Sequence, residues 1–167
     1  VPYNLWGISF LAMFHMSSDS NVFSAENAKG FLPLYEAKMI WHFDHRYAGY
    51  DGEQTEYYSV DAKLDPQRRI KPNYWVSVKD VQERITGKWN SSWFLGFRDV
   101  TDSRNERTLV VSLVPYAGVG NKLPLILPTE TPQSVCGLLS NLAAFVLDYV
   151  AKQKVGGMTL NYFILNQ

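Results

Sequence analysis

The chain has 167 residues, a net charge of zero and a single cysteine, with 46% hydrophobic and 14% aromatic residues. This length suits one domain with its own core, and zero net charge excludes a protein that attracts polyanions through its overall field. One cysteine excludes a disulfide framework and favours a reducing compartment, the cytoplasm.

The N-terminal third alternates apolar runs with turn-forming residues. Residues 5–16 are apolar and aromatic around Gly7, which favours a strand over a helix. Residues 35–44 alternate with a period of two, which predicts a half-buried strand with Glu36 and Lys38 on its polar face. Residues 56–62 predict a second strand. No run of about twenty apolar residues occurs, so no membrane span and no membrane partner are predicted.

The middle of the chain carries turn and cap signals. Residues 63–73 are charged and contain prolines, which predicts an exposed loop. Ser77 with Asp80 three residues later resembles a capping box and predicts a helix near 78–85. Residues 93–100 and 107–115 predict a hairpin with a longer loop, and residues 122–128 a further short extended run.

The C-terminal section has a helical pattern. Thr131 suits an N-cap and Pro132 the first helical position. Apolar residues then recur at helical spacing from 135 to 150, which predicts one dominant helix near 132–154. Cys136 lies within this pattern and is predicted to be buried. Residues 159–165 fit a final strand or a short helix, and periodicity leaves both open.

Together these elements predict an α+β fold. We expect a curved, mostly antiparallel sheet with a short helix near 78–85 and a dominant C-terminal helix near 132–154. Residues 1–130 are interpreted as a strand-rich body. Residues 131–167 are interpreted as the helix and the terminal strand or short helix of the same domain.

One spacing is typical of metal-dependent nucleases. In these enzymes a Glu-x-Lys strand and an upstream acid hold Mg²⁺, and the lysine assists the attacking water or the leaving charge. Glu36 and Lys38 have this spacing, and Asp19 is the nearest upstream acid. A Glu and a Lys two residues apart are commonplace on a solvated strand face, so a Mg²⁺-dependent nuclease is kept only as an alternative.

The sequence lacks the residue patterns of zinc sites, of nucleophilic catalysis and of phosphate-binding loops. His42 and His45 would face opposite ways on a strand, and Cys136 has no cysteine partner, so no zinc site is predicted. The chain has no nucleophile elbow and no phosphate loop, and the short GVG run at 118–120 is too weak a signal. No catalytic, metal or cofactor-binding residue is assigned.

A binding function is the remaining interpretation, because cationic residues cluster locally with aromatic residues between them. Arg68 and Arg69 share one loop, and Arg98, Arg104 and Arg107 surround the predicted hairpin. Arginine forks read guanine edges or hold phosphates. Acidic neighbours in the same segment could neutralise these arginines, so a solvated surface with charge pairs is the competing interpretation.

Long blocks of the chain are similar to one protein family. They are FHMSSDSNVF, PLYEAKMIWHFDHRYAGYDG, the PNYWV stretch, WFLGFRDVTDSRNERTLVVSLVP, LPLIL and LLSNLAAFVLDYVAKQKVGGMTLNYFIL. In this order they resemble the C-terminal part of bacterial type IIG-like restriction–modification adenine-N6 DNA methyltransferases, a region similar to the TaqI-like specificity domain. The helix followed by two glycines is also similar to specificity subunits of type I restriction enzymes. Because the chain begins at Val1 and ends just after an apolar run, we expect a fragment of a longer protein.

The resemblance implies a target recognition domain. Such a domain reads double-stranded DNA, while the N-terminal methyltransferase domain of the parent chain flips the adenine and transfers methyl from S-adenosylmethionine. Whether the parent protein also cleaves DNA, with Mg²⁺ as a second cofactor, is left open. In the family, the segment beginning at Tyr35 heads the recognition region. The residues expected to contact DNA are Lys38, His45, Arg46, Arg68, Arg69, Arg98, Arg104 and Arg107. A module that docks only on the parent enzyme is the other alternative.

Overall fold

The strands form three sheets in the computed structural model, which describes residues 6–165. One sheet has the antiparallel order β1 (Ser9–Leu11), β9 (Leu125–Leu127), β6 (Trp93–Phe97) and β7 (Val111–Pro115). In the second, β2 (Phe31–Tyr35) pairs antiparallel with β5 (Trp75–Ser77) and parallel with β8 (Gly118–Val119). The third is a hairpin of β3 (Ala48–Asp51) and β4 (Gln54–Tyr57). The predicted hairpin over 93–115 is confirmed as β6 and β7.

The helices are short and complete an α+β fold, as predicted. They are α1 (Val60–Leu64), α2 (Val78–Ile85), α3 (Pro132–Leu142), α4 (Phe145–Lys154) and α5 (Tyr162–Leu165), with 3-10 helices at Ser20–Val22 and Ala37–Met39. The helix predicted near 78–85 is confirmed as α2, and the hydroxyl of its N-cap Ser77 accepts a hydrogen bond from the Asp80 amide. The terminal segment that periodicity left open contains α5.

The region predicted as one helix near 132–154 is helical but divided. The axes of α3 and α4 are bent by 62° because the backbone of Ala144 is extended. Arg107 donates a hydrogen bond of 2.6 Å to the carbonyl of Ala143 at the break. The bend changes which residues face the core, so the side chains of α3 at 135, 138, 139 and 142 are buried, whereas those of α4 at 145, 146, 149 and 150 are exposed. The prediction that Cys136 is buried was wrong, because its thiol lies on the exposed side of α3.

The strand predicted over residues 35–44 was also wrong. Strand β2 ends at Tyr35, and the chain continues through the 3-10 helix and a tight turn that joins Trp41 to Asp44. Met39 and Ile40 are adjacent in sequence and both fully buried, whereas a half-buried strand would expose one of the two. The strand predicted over 56–62 stops early as well, because Ser59 caps α1 by accepting from the Ala62 amide.

The four-stranded sheet separates two hydrophobic cores. Phe94 of β6 and Leu125 of β9 belong to one core, with residues of the three-stranded sheet. The neighbouring residues Leu95 and Ile126 belong to the other core, with α3 and α4. Since successive side chains of a strand point to opposite faces, β6 and β9 bury both of their faces. These two strands therefore form the buried centre of the fold.

Residues 6–165 contain no single helix that is both long and apolar enough to cross a membrane. Only α3 and α4 counted together, across their bend, reach that length and composition.

Candidate functional site

A cleft of about 290 Å³ opens beside the 3-10 helix Ala37–Met39. Met16, Ala37 and Val100 contribute apolar walls. The polar groups that line it are Glu36, Lys38, Tyr50, Arg98 and Lys122. Three cations and one carboxyl therefore line a cleft in a chain whose overall charge is zero.

The end of β2 places Glu36 and Lys38 at this cleft. The Tyr35 carbonyl accepts from the Gly120 amide at 2.8 Å, which joins β2 to the loop that follows β8. The Glu36 amide then donates to the Met39 sulfur at 3.1 Å, and the chain enters its 3-10 turn. Glu36 and Lys38 line one cleft because of this turn, although the strand that suggested their common face does not form.

The Glu36 carboxyl has unused capacity to accept hydrogen bonds. Its Oε1 atom is buried and has no hydrogen-bond partner among the described residues. Burial raises the pKa of this carboxyl, while hydrogen bonding to Tyr50 and the charge of Lys38 oppose the rise. Burial also raises the pKa of the Tyr50 phenol, and the Glu36 carboxylate adds to that effect. A buried acceptor without a partner costs about 1–3 kcal/mol, so a donor N–H from a ligand would stabilise it.

Arg98 is held rigidly between the cleft and the neighbouring turn. Its guanidinium donates to the Ile40 carbonyl, and its central carbon lies 4.9 Å from the Trp41 ring centroid and 5.7 Å from that of Tyr47. Burial lowers the pKa of the guanidinium. These contacts fix its orientation, so Arg98 presents a cation to the cleft without loss of side-chain freedom on binding.

The two lysines of the cleft are more accessible than Arg98. Lys38 is exposed, and no ion pair forms between it and another described residue. Lys122 pairs with Asp99 at 2.9 Å, and its side chain remains 53% exposed. Both lysines can therefore reach an anion in solvent.

Three of the other predicted contact residues are partly buried. Arg46 donates to the carbonyls of Lys63 at 2.7 Å and Asp65 at 3.1 Å, so its guanidinium holds the loop after α1. His45 is half-buried, and burial together with the charge of Arg46 lowers its pKa. Arg68 lies over the Tyr58 ring with 5.0 Å between guanidinium carbon and ring centroid, and it approaches Glu56 at 3.5 Å.

Three arginines differ in their freedom to bind a partner. Arg69 is exposed in the loop before β5. Arg104 is 86% exposed and donates two hydrogen bonds, of 2.9 and 2.7 Å, to Asp102, which lowers the pKa of that carboxyl to about 2. Arg107 is only 11% exposed and pairs with the buried Asp148 at 3.3 Å. Arg107 is therefore committed to the fold, whereas Arg69 and Arg104 project into solvent.

The structure brings together only part of the predicted set. Lys38 and Arg98 meet at the cleft, and Lys122, which is not among the predicted contact residues, joins them. The GVG run at 118–120 is a weak signal by itself, but Gly118 and Val119 form β8 and Gly120 lines the cleft. That run and Lys122, two residues after it, are the features of the sequence that could have indicated the cleft.

The residues of the nuclease hypothesis do not converge. The Asp19 carboxylate accepts from the His15 amide at 2.7 Å and pairs with Arg84 at 2.9 Å, away from the cleft. The hydrogen bond to His15 is the main cause that lowers the pKa of Asp19. Among residues 6–165, Glu36 is the only acid that lines the cleft, and no group of three or more metal-ligating side chains occurs.

No protein-family model matches the chain, and no curated protein matches it either.

Proposed function

We propose that this chain is the DNA target recognition module of a restriction–modification methyltransferase and that it reads a specific duplex sequence for a separate catalytic domain. The observation that carries the proposal is the meeting of Lys38, Arg98 and Lys122 at one cleft. A chain of zero net charge needs such a local patch to hold DNA, because its overall field attracts no polyanion. The sequence blocks that resemble adenine-N6 methyltransferases support the same function.

Each group at the cleft has a role in this proposal. Lys38 and Lys122 hold backbone phosphates, because both are exposed cations on flexible stems. Glu36 lines the same cleft, and its carboxyl accepts a hydrogen bond from an exocyclic amino group at a base edge. Arg98 stays fixed over Trp41 and sets the positive potential of the site.

Catalysis belongs to another domain in this proposal. The resemblance implies that the methyltransferase domain of the parent binds S-adenosylmethionine and methylates the adenine, while the present chain selects the site. Glu36 is the single carboxyl that the described part of the chain brings to the cleft, which favours recognition over a two-acid Mg²⁺ site.

Salt dependence of binding is the direct test. Selection from a randomised duplex pool with the 167-residue chain should enrich one consensus sequence. On that duplex, the slope of log K against log salt should become shallower by about two when Lys38 and Lys122 are both replaced by alanine, since each phosphate contact contributes roughly 0.9. Lys79→Ala is the matched control, because this lysine lies on α2 and pairs with Glu83. Equal slopes for wild type and the double variant, or no consensus, would refute the proposal.

Two further assays separate the alternatives. Plasmid cleavage in Mg²⁺ or Mn²⁺ that Glu36→Gln abolishes would favour the nuclease. The docking module would be favoured if the chain binds the separated methyltransferase domain and the parent enzyme keeps its sequence choice after this chain is removed.

A further inference from the structure

Phe43 occupies a backbone conformation that suits glycine. Its φ is +59°, and it is the one non-glycine residue with positive φ in the part of the chain that the structure describes. Trp41 and Asp44 exchange both backbone hydrogen bonds across it, at 2.8 and 3.0 Å, so Phe43 is the third residue of a tight turn. Glycine or asparagine is preferred there, and a bulky aromatic residue is strained.

The phenyl ring of Phe43 contributes little to the fold. The side chain is 64% exposed, and its ring centroid lies 6.4 Å from that of His42. Other residues fix the turn. Trp41 stacks on Tyr47 at 5.3 Å, and Asp44 accepts from the Arg46 amide at 2.8 Å and pairs with Lys63 at 2.7 Å. The fold therefore carries a strained backbone and an exposed apolar ring at a position where glycine would remove both.

The turn adjoins the cationic cleft. Arg98 lines the cleft, donates to the carbonyl of Ile40 just before the turn and lies over Trp41. A second exposed aromatic residue, Tyr57, packs edge-on against Tyr47 at 5.3 Å and is also 64% exposed. A duplex whose phosphates lie at the cleft would thus find a rigid aromatic projection beside it.

We propose that Phe43 is a wedge that inserts between two neighbouring base pairs of the bound duplex. This proposal rests on the proposed function of the chain. An apolar side chain held on a rigid turn can partly unstack a base step and kink the duplex, and the flexible pyrimidine–purine steps resist this least. The ring would then stack on the face of a base. The wedge adds sequence selection at a step that makes no hydrogen bond to the protein.

The experiment compares variants of the full chain on the consensus duplex, with 2-aminopurine placed at successive positions. Wild type should raise 2-aminopurine fluorescence at one step, where the base is unstacked. Phe43→Gly and Phe43→Asn should lose that signal and bind at least about tenfold more weakly, because a base–aromatic stack is lost. Phe43→Trp should keep the signal. Tyr149→Ala, which removes a 65% exposed aromatic side chain from α4, is the matched control and should bind as wild type does.

Urea unfolding of the same variants completes the test. Phe43→Gly should be as stable as wild type or more stable, because it relieves the backbone strain. A clear loss of stability in both the glycine and asparagine variants would show that Phe43 serves the fold and would overturn the wedge. Unchanged affinity and fluorescence would overturn the wedge and leave DNA recognition intact. Failure of wild type to bind any duplex would overturn both proposals.

Discussion

Replacing Arg107 by alanine is expected to destabilise the fold, although the sequence alone suggested that this residue contacts DNA. The guanidinium pairs with Asp148 at 3.3 Å, donates to the Ala143 carbonyl at 2.6 Å and lies 4.7 Å from the Phe145 ring centroid. It thus joins the loop between β6 and β7 to the break between α3 and α4.

The size of the effect follows from what remains around Asp148. Its carboxylate is 5% exposed and accepts from the amides of Thr108 and Leu109, each at 2.8 Å. Loss of one partner from a buried ion pair costs about 3–5 kcal/mol when nothing replaces it. Here the two amides remain, and Lys152 approaches at 4.0 Å, so Arg107→Ala should cost about 2–4 kcal/mol. Asp148→Ala should cost more, about 3–5 kcal/mol, because it leaves two buried amides and one buried cation unpaired.

Urea unfolding followed by circular dichroism measures these costs, with equal m-values as the check on two-state behaviour. Arg104→Ala is the control, since its exposed pair with Asp102 should leave stability unchanged. A double variant of Arg107 and Asp148 should cost less than the sum of the single variants. Stability of Arg107→Ala equal to that of Arg104→Ala would refute the assignment of Arg107 to the fold.

Three further predictions concern other sites. Burial and the charge of Arg107 lower the pKa of His42 to about 4 in the folded protein, so the unfolded chain, with a pKa near 6.5, binds the proton first. Stability should therefore be full above about pH 7 and fall by roughly 1–2 kcal/mol, after allowance for solvent screening, as the pH drops toward 4. The His42→Gln variant should lack this loss of stability between pH 7 and 4. A variant with the same pH profile as wild type would contradict the prediction. Ser77→Ala should lower the free energy of unfolding by about 1 kcal/mol through loss of the α2 cap, whereas a cost near zero would show that the cap is dispensable. Cys136 should react with a thiol reagent in the folded protein about as fast as in urea, and strong protection would place it in the core after all.

Local signals determined several elements from the sequence by itself. The cap at Ser77, the proline after Thr131 and the β-branched run before Pro115 each act over a few residues, and α2, the start of α3 and the strand β7 follow from them. The same locality explains the wrong strand over 35–44, where alternation in sequence coincided with consecutive burial of Met39 and Ile40. Periodicity describes one element and contains no information about the neighbour that covers it.

Only the tertiary structure decided the break of the C-terminal helix and the roles of the arginines. Arg107 reaches the Ala143 carbonyl across 36 positions of sequence, and Arg98 reaches the Ile40 carbonyl across 58. Lys38 and Lys122 come to one cleft from segments that no local pattern connects. The sequence shows that an arginine carries a positive charge, but it does not show which groups that charge contacts. Whether it holds a carbonyl, covers an aromatic ring or projects into solvent depends on which distant groups the fold places within hydrogen-bonding distance.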